Sequence, residues 1–418
     1  MRRDRARFLA LTVVAAASAV AIAACGAGAT SLTSASGGSS QPVTVGISEP
    51  LTGQFSADGV ASEQGAELWV SDVNAAGGLL GHQVKLTLLN NNSLPATAAK
   101  DYATLITKDK VNFVLGPFSS LLTVAAAPVV ARDGYAFPEG SGGAPTVFAL
   151  KEHNLFGVST PVVDHMVPFA DWVTSQPASE RPKTAAYPMV FDPFADPPVQ
   201  TAQKIMQNAG IRTVYSNASN PITATNLAPY AKAVAALKPD AVVLGSVDVP
   251  TVDAFITGFK AANYTPKIFI AAAGPDQGLA FENKVGPANA SGIMVPDGWS
   301  GNFADALSHV MVQDYIAKFG GLASGVNADV AEAYSSGEVL AEAISATKSL
   351  DNAKIIAYLH SGVTLQTVQG PAKFDSIGQN TVSSFFTFQW QSGQFLQVLP
   401  VGAAGSAPID VIKPPFVG

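Results

Sequence analysis

From Pro42 onward, short β-branched runs alternate with amphipathic segments, and that alternation limits the possible folds more than any other feature of the chain. "VTVGIS" (43–48) reads as a strand that ends in the polar loop "EPLTGQFSADG". Ala66, Trp69, Val70 and Val73 then recur at i, i+3, i+4 and i+7, one apolar face of a helix, and Gly77-Gly78 supply its stop. Val84, Leu86 and Leu88 share one face of the next strand, Ala99, Tyr102, Ala103 and Ile106 return to helical spacing, and "VNFVLG" is again a strand. The helix "SLLTVAAAPVVAR" and the strand "YAFP" complete a first series. After a break near Thr160-Pro161 the pattern resumes. Helices are predicted over 162–174, 199–209, 226–238 and 249–261, interleaved with strands at 184–191, "RTVYS", "DAVVLG" and "KIFIA". Helices at 304–319, 330–347 and 352–361 follow, then strands "SFFTFQW" and "QFLQVLP". Repeated β-α-β units imply parallel sheets covered by helices on both faces, so the expected fold is α/β with two doubly wound lobes.

The first 41 residues do not follow this pattern. Arg2, Arg3, Arg5 and Arg7 precede an apolar stretch over 8–20, then small residues lead to Cys25, the single cysteine of 418 residues. A charged start, a short apolar core and a small-residue cleavage zone predict a secretory leader over 1–24. Ile22-Ala23-Ala24-Cys25 resembles a lipobox, in which Cys25 is a lipid anchor at the start of the mature chain; the alternative is ordinary leader cleavage with Cys25 incidental. Residues 25–41, rich in Gly, Ser and Ala, read as a flexible tether. Loss of the leader's four Arg and one Asp takes the formal charge from −7 to −10. The mature part is thus acidic and without a basic run, which argues against a nucleic-acid partner. With no further cysteine there is no disulfide and no thiolate metal site. Among the 48% hydrophobic residues there is ample material for a core.

Catalytic signals are weak. His82, His153, His165, His309 and His360 are scattered without metal-ligand spacing. No G-x-S-x-G elbow, H-E-x-x-H, dinucleotide fingerprint or phosphate loop occurs, and the S-x-x-K of Ser345–Lys348 lies in an Ala-rich helix without companion motifs. The expectation is a protein with no catalytic residue, metal or cofactor. Ligands of open parallel sheets sit beyond the carboxyl ends of the strands, where three loops qualify: "SEPLTGQFSADG", "GPFSSL" and "PEGSGGAP". At Phe118-Ser119-Ser120, serine at a helix start reads equally as a cap and as a donor to an anionic group. Asp192 and Asp196 of "DPFADPP" read as turn formers or as partners for a cationic group.

Taken together, "VGISEPLTGQFSADGVASEQGAELWVSDVNAAGGLLGHQVKLTLLNNN", "VNFVLGPFSS", "GYAFPEGSGG", "LKPDAVVLGSVDVPTVDAFITGFKAANY", "GIMVPDGW" and "GPAKFDSIGQN" follow the block order of a known family. The chain resembles type I periplasmic-binding-fold solute-binding proteins, specifically the branched-chain amino acid (leucine/isoleucine/valine)-binding family of ABC importers. That resemblance implies two discontinuous lobes, 42–160 plus 297–369 and 161–296 plus 370–418, joined by three crossings near Thr160, Pro296 and Gly370. It implies a small polar organic ligand held between them, an ABC permease as membrane partner, and a monomer. By motif, Ser120 corresponds to the family's carboxylate-binding serine, beside Phe118 and Ser119. Glu139, Gly140 and Ser141 fall on the next ligand loop and Asp58 on the first. Phe194, Asp196, Asp248 and Asp276 lie on loops of the second lobe, with Trp299 as a further aromatic wall. Glu139 replaces a small residue of the family, and Asp276 stands some positions from the expected ammonium-binding acid. These departures extend the candidate ligands to amides, urea-type compounds and aromatic acids, and the role to transport or surface sensing.

Overall fold

The computed structural model describes residues 41–303 and 305–418. The expected leader, Cys25 and all but the last residue of the tether lie outside them. β1 (Val43–Glu49) is central in a parallel three-stranded sheet, between β2 (Val84–Asn90) and β3 (Phe113–Val114). Almost every β1 side chain is buried, as a strand covered on both faces requires. β4 (Phe137–Glu139) and β5 (Leu155–Gly157) form a second parallel pair, continuous with β3 through the Gly116 N–H, which donates to the Pro138 carbonyl. The connecting helices are α1 (Ser56–Ala75), α2 (Pro95–Thr107), α3 (Ser120–Arg132) and α4 (Pro145–Phe148).

The second half of the pattern gives β6 (Thr184–Tyr187), β7 (Arg212–Ser216), β8 (Ala241–Leu244), β9 (Ile268–Ala271) and β10 (Ile293–Asp297). Around them lie α5 (Val167–Ser175), α6 (Asp196–Asn208), α7 (Ala228–Leu237), α8 (Val249–Ala261), α9 (Leu279–Val285) and α10 (Pro287–Ala290). Then come α11 (Ala306–Phe319), α12 (Ala328–Thr347), α13 (Asn352–Leu359), the hairpin β11 (Leu365–Thr367) and β12 (Gly370–Ala372), and finally β13 (Phe386–Gln391) and β14 (Gln394–Leu399). A seven-stranded sheet results, ordered β14-β13-β10-β9-β8-β6-β7. It is parallel from β7 to β10 and antiparallel at the β13–β14 edge. Ser392 (φ 51°) and Gly393 (φ 77°) make the two-residue turn that closes this edge hairpin, both in the left-handed region that such a turn needs.

Two findings differ from the sequence expectation. α1 begins at Ser56, ten residues before the visible apolar run, because its first turns bury Asp58, Gly59 and Ser62 beside Ala61 and so show no hydrophobic period. The chain also does not leave the first half at Gly370. Ala372 and Phe374 share a core cluster with Val43, Val45 and Trp69, and the Asn380 amide donates to the Val158 carbonyl at 2.8 Å. The third passage therefore falls between Asn380 and Phe386, since β11–β12 has an apolar face that only the first half covers.

Near the site, the fold depends on the contact of α1 with α12. A Cβ on Gly65 would run into the Val330 carbonyl, and one on Gly337 into the Trp69 indole, which is 1% exposed. Glycine on each helix is what allows so close an approach. In consequence the first turn of α12, more than 260 residues away in sequence, is held beside that of α1.

Candidate functional site

Beyond the carboxyl ends of the strands of both sheets lies a cavity. Asp58, Phe118, Ser119, Ser141 and Gly143 line it from the first half, together with Asp329 and Glu332 of α12. Phe194, Val247, Ala273 and Asp276 line it from the second, and Ser159, Thr160, Val162, His165, Pro296 and Asp297 from the segments that join the two.

Buried polar contacts build these walls. Glu49 ends β1 with its carboxylate pointing to the α3 loop, where Oε2 accepts from the Phe118 N–H at 3.0 Å and Oε1 from the Ser62 hydroxyl at 2.7 Å. Glu139 ends β4 in the same way and accepts from the Ser141 N–H at 2.9 Å. The Ser141 hydroxyl donates at 2.5 Å to Glu332, which ties the β4 loop to α12. Gly140 and Gly142 leave no room for a side chain: the first meets the Glu332 carbonyl and the second the Glu139 carboxylate. A Phe55–Phe118 edge contact (5.8 Å between ring centroids) belongs to an apolar cluster with Ala195 and Val247 of the second half. Beside it the Gln54 amide donates to Asp248 at 2.8 Å, a polar bridge between the same two halves.

The cavity is acidic. Asp58, Asp276, Asp297, Asp329 and Glu332 all line it, and no Lys or Arg does. Burial is the first cause in every case of a raised carboxyl pKa here. It lifts Asp276 to about 6 against the lowering hydrogen bond from the Gly274 N–H. It lifts Asp58, Asp297, Asp329 and Glu332 well above the carboxylate range, with the neighbouring acids adding repulsion. Asp58 and Asp329 are close enough to share a proton. Behind the wall, burial raises Glu139 to about 8. His165 moves the other way: burial lowers it to about 4, so the ring is neutral at pH 7. Its Nε2 lies 2.5 Å from the Thr160 hydroxyl, which can donate or accept, and 3.1 Å from the Thr160 carbonyl, while Nδ1 is buried without a partner.

Of the expected site residues, Asp58, Phe118, Ser119, Ser141, Phe194 and Asp276 meet around one cavity. Ser120 does not line it. Its hydroxyl accepts from the Ala144 N–H at 3.2 Å and points to the Ser141 carbonyl, so it braces the loop, and Ser119 faces the cavity instead. Glu139 and Gly140 stand behind the wall. Asp196 lies in the first turn of α6, off the cavity. Asp248 caps α8 by accepting from the Thr251 N–H at 2.8 Å, and it lines a separate groove of about 490 Å³ with Gln54 and Phe191. Trp299 is also turned away: it is buried against Met311 and Val312, and its indole N–H donates to Ser308 at 2.6 Å. Sequence reasoning missed Asp297, Asp329, Glu332 and His165. The one local signal was Asp329 and Glu332, two acids three apart in the first turns of an Ala-rich helix that carries Glu338 and Glu342 further along.

Comparison with known proteins agrees with this architecture. A profile described as "Periplasmic binding protein" matches residues 42–394. The chain spans about a quarter of the length of the first curated relatives it matches. It is 31% identical over 103 residues to Leu/Ile/Val-binding protein BraC3 of Rhizobium johnstonii, covering 25% of this chain and 28% of that protein. A longer alignment, 23% identical over 363 residues, covers 85% of this chain and 93% of Leu/Ile/Val-binding protein homolog 3 of Brucella melitensis. Among solved structures, the branched-chain amino acid transporter substrate binding protein LivJ of Streptococcus pneumoniae, in complex with isoleucine, superposes with a TM-score of 0.73 at 19% identity, covering 85% of this chain and 98% of that one. A solute binding protein of an R. palustris ABC transporter, in complex with benzoate, gives 0.72 at 18% identity, covering 89% and 99%. The chain belongs to the periplasmic binding protein family and has the type I fold of that family's solved members.

Proposed function

We propose that this protein is the extracytoplasmic binding component of an ABC importer, lipid-anchored through Cys25, which captures a small polar organic solute between two lobes and presents it to a membrane permease. One observation carries this reading: a single cavity walled by residues of both sheets and of the segments that join them. In the conformation described it encloses about 30 Å³, room for little more than a water molecule or two. Small-molecule pockets usually offer roughly 300–1,000 Å³, so a guest enters only when the walls part. Closure then adds the contacts of the second half to those of the first, and that difference in contact sets the affinity.

Small-angle scattering with a thermal-shift panel of amino acids, amines, amides and aromatic acids tests the reading. The expected result is one compound class that raises the melting temperature and shrinks the radius of gyration together. A radius and a melting point that no class moves would end it. Anchoring has its own test: cells fed a labelled lipid precursor are expected to label the wild-type chain and to leave Cys25→Ser unlabelled. Label retained by the serine variant would place the anchor elsewhere.

A further inference from the structure

We propose that the guest of this cleft is an organic dication without a carboxylate, a molecule carrying two separated ammonium or guanidinium-type groups. This rests on the solute-binding reading above and names the chemical class that the site takes.

Charge is the first ground. Five carboxyl groups line the cavity without a basic side chain among them. The ion pairs among the described residues, Arg132–Asp133, Lys267–Asp240, Lys284–Asp253 and Lys318–Glu67, engage none of the five. Buried carboxylates are ordinarily paired or protonated, because an uncompensated charge in the interior is expensive. Internal contacts account for part of the cluster. Glu332 accepts from Ser141, and Asp58 and Asp329 can share one proton. Asp276 and Asp297 hold only backbone N–H groups, at 2.6 Å from Gly274 and at 2.5 and 3.2 Å from Gly298 and Trp299. What is left is Asp276 and Asp297, two carboxyls whose partners are backbone N–H groups alone, one place each for a cationic group.

The second ground is hydrogen-bond polarity, independent of net charge. Asp297 is 8% exposed; one of its oxygens is held by backbone and the other, Oδ2, is buried without a partner. Asp58 Oδ2 is buried without any donor but that shared proton. His165 Nδ1 is also buried and unpartnered. In their charged form the two carboxyl oxygens accept only, and ammonium and guanidinium groups, which favour that form, are donors only. A carboxylate-bearing guest would add an acceptor and a negative charge to a wall that already has too many. A metal ion is the weaker fit, because no group of three His, Cys, Asp or Glu among the described residues is placed to hold one.

Agmatine and arginine make the decisive pair, since they differ by one carboxylate. Calorimetry on the purified full chain is expected to show agmatine and putrescine binding, with arginine weaker than agmatine by about ten-fold or more, and leucine, benzoate and Ca²⁺ weaker still. Asp297→Asn is expected to weaken agmatine by about ten-fold or more while the ligand-free variant melts at or above the wild-type temperature, an outcome that a merely structural role for Asp297 would reverse. Tighter binding of leucine, arginine, benzoate or Ca²⁺ than of either diamine overturns the dication and leaves the solute-binding reading standing. If neither diamine binds the dication falls, and if the whole panel also fails, the solute-binding reading falls with it.

Discussion

Gly65→Val is expected to destabilise the chain by about 3 kcal/mol and to abolish solute binding in whatever protein still folds. The reason is backbone against backbone. A Cβ at Gly65 would meet the Val330 carbonyl oxygen, with its carbon at 2.9 Å and Cα at 3.0 Å, and no side-chain rotation relieves that contact. Relief requires α1 and α12 to separate. Trp69, buried with Val339, Leu340 and Ala343 on the opposite helix, then loses its packing, and the acids at the head of each helix lose their spacing. Urea denaturation followed by tryptophan fluorescence reads the first effect, and calorimetry with the bound class of solute reads the second. An unchanged urea midpoint would show that the two helices are free to shift, and would remove this contact as the feature that holds Asp58 beside Asp329.

Moving the ligand-free chain from pH 8 to pH 5 is expected to raise its melting temperature by roughly 5 °C or more. Glu139 and Glu338 are lifted from 4.5 to about 8, and Asp276 and Asp192 from 3.8 to about 6, in each case by burial first. A carboxyl whose folded pKa exceeds its unfolded one favours the fold when protonated. Its contribution is complete below about pH 4 and is lost as pH rises through about 6 to 8, at about 1.4 kcal/mol per unit of displacement. His165, lowered to about 4, opposes this between about pH 4 and 6.5, and Lys413, lowered to about 7, opposes it above that value. Each of those is one group acting over part of the range, whereas the raised carboxyls are several and act across all of it. Differential scanning calorimetry in buffers of matched ionic strength checks the sign. A higher melting point at pH 8 would mean that these carboxyls are neutralised in a way the cavity does not reveal.

The two halves of the fold were legible because parallel strands announce themselves as apolar runs and their covering helices as periodic ones. The expected helix 249–261 coincides with α8. Boundaries failed where burial is polar: the first turns of α1 carry Asp58, Gly59 and Ser62 inward, so no hydrophobic rhythm marks them. Part of the cavity was legible for a local reason, since Phe118, Ser119, Ser141 and Asp276 lie on the loops that leave the ends of β3, β4 and β9. Ser119 and Ser120 were both expected at the site, and only Ser119 lines the cavity, since at a helix start one residue turns a side chain by about 100°. Asp297 reaches the cavity as the last residue of β10, whereas Asp329 and Glu332 could not be tied to Asp58 and Ser141 by local reading, because the return of α12 to the first sheet makes them neighbours. Two glycines and a tryptophan fix that return, and none of the three resembles a binding motif.

Asp297 is the final residue of β10, and the chain passes from it through the anchored indole of Trp299 to α11 and then α12. A side chain in such a place rides on the pivot rather than on either jaw. Its unpartnered oxygen is buried at this junction, so under the proposed dication reading a positive visitor pulling on it also applies torque at the axle. Capture and movement would then share one atom, and the docking signal for a membrane partner would begin there.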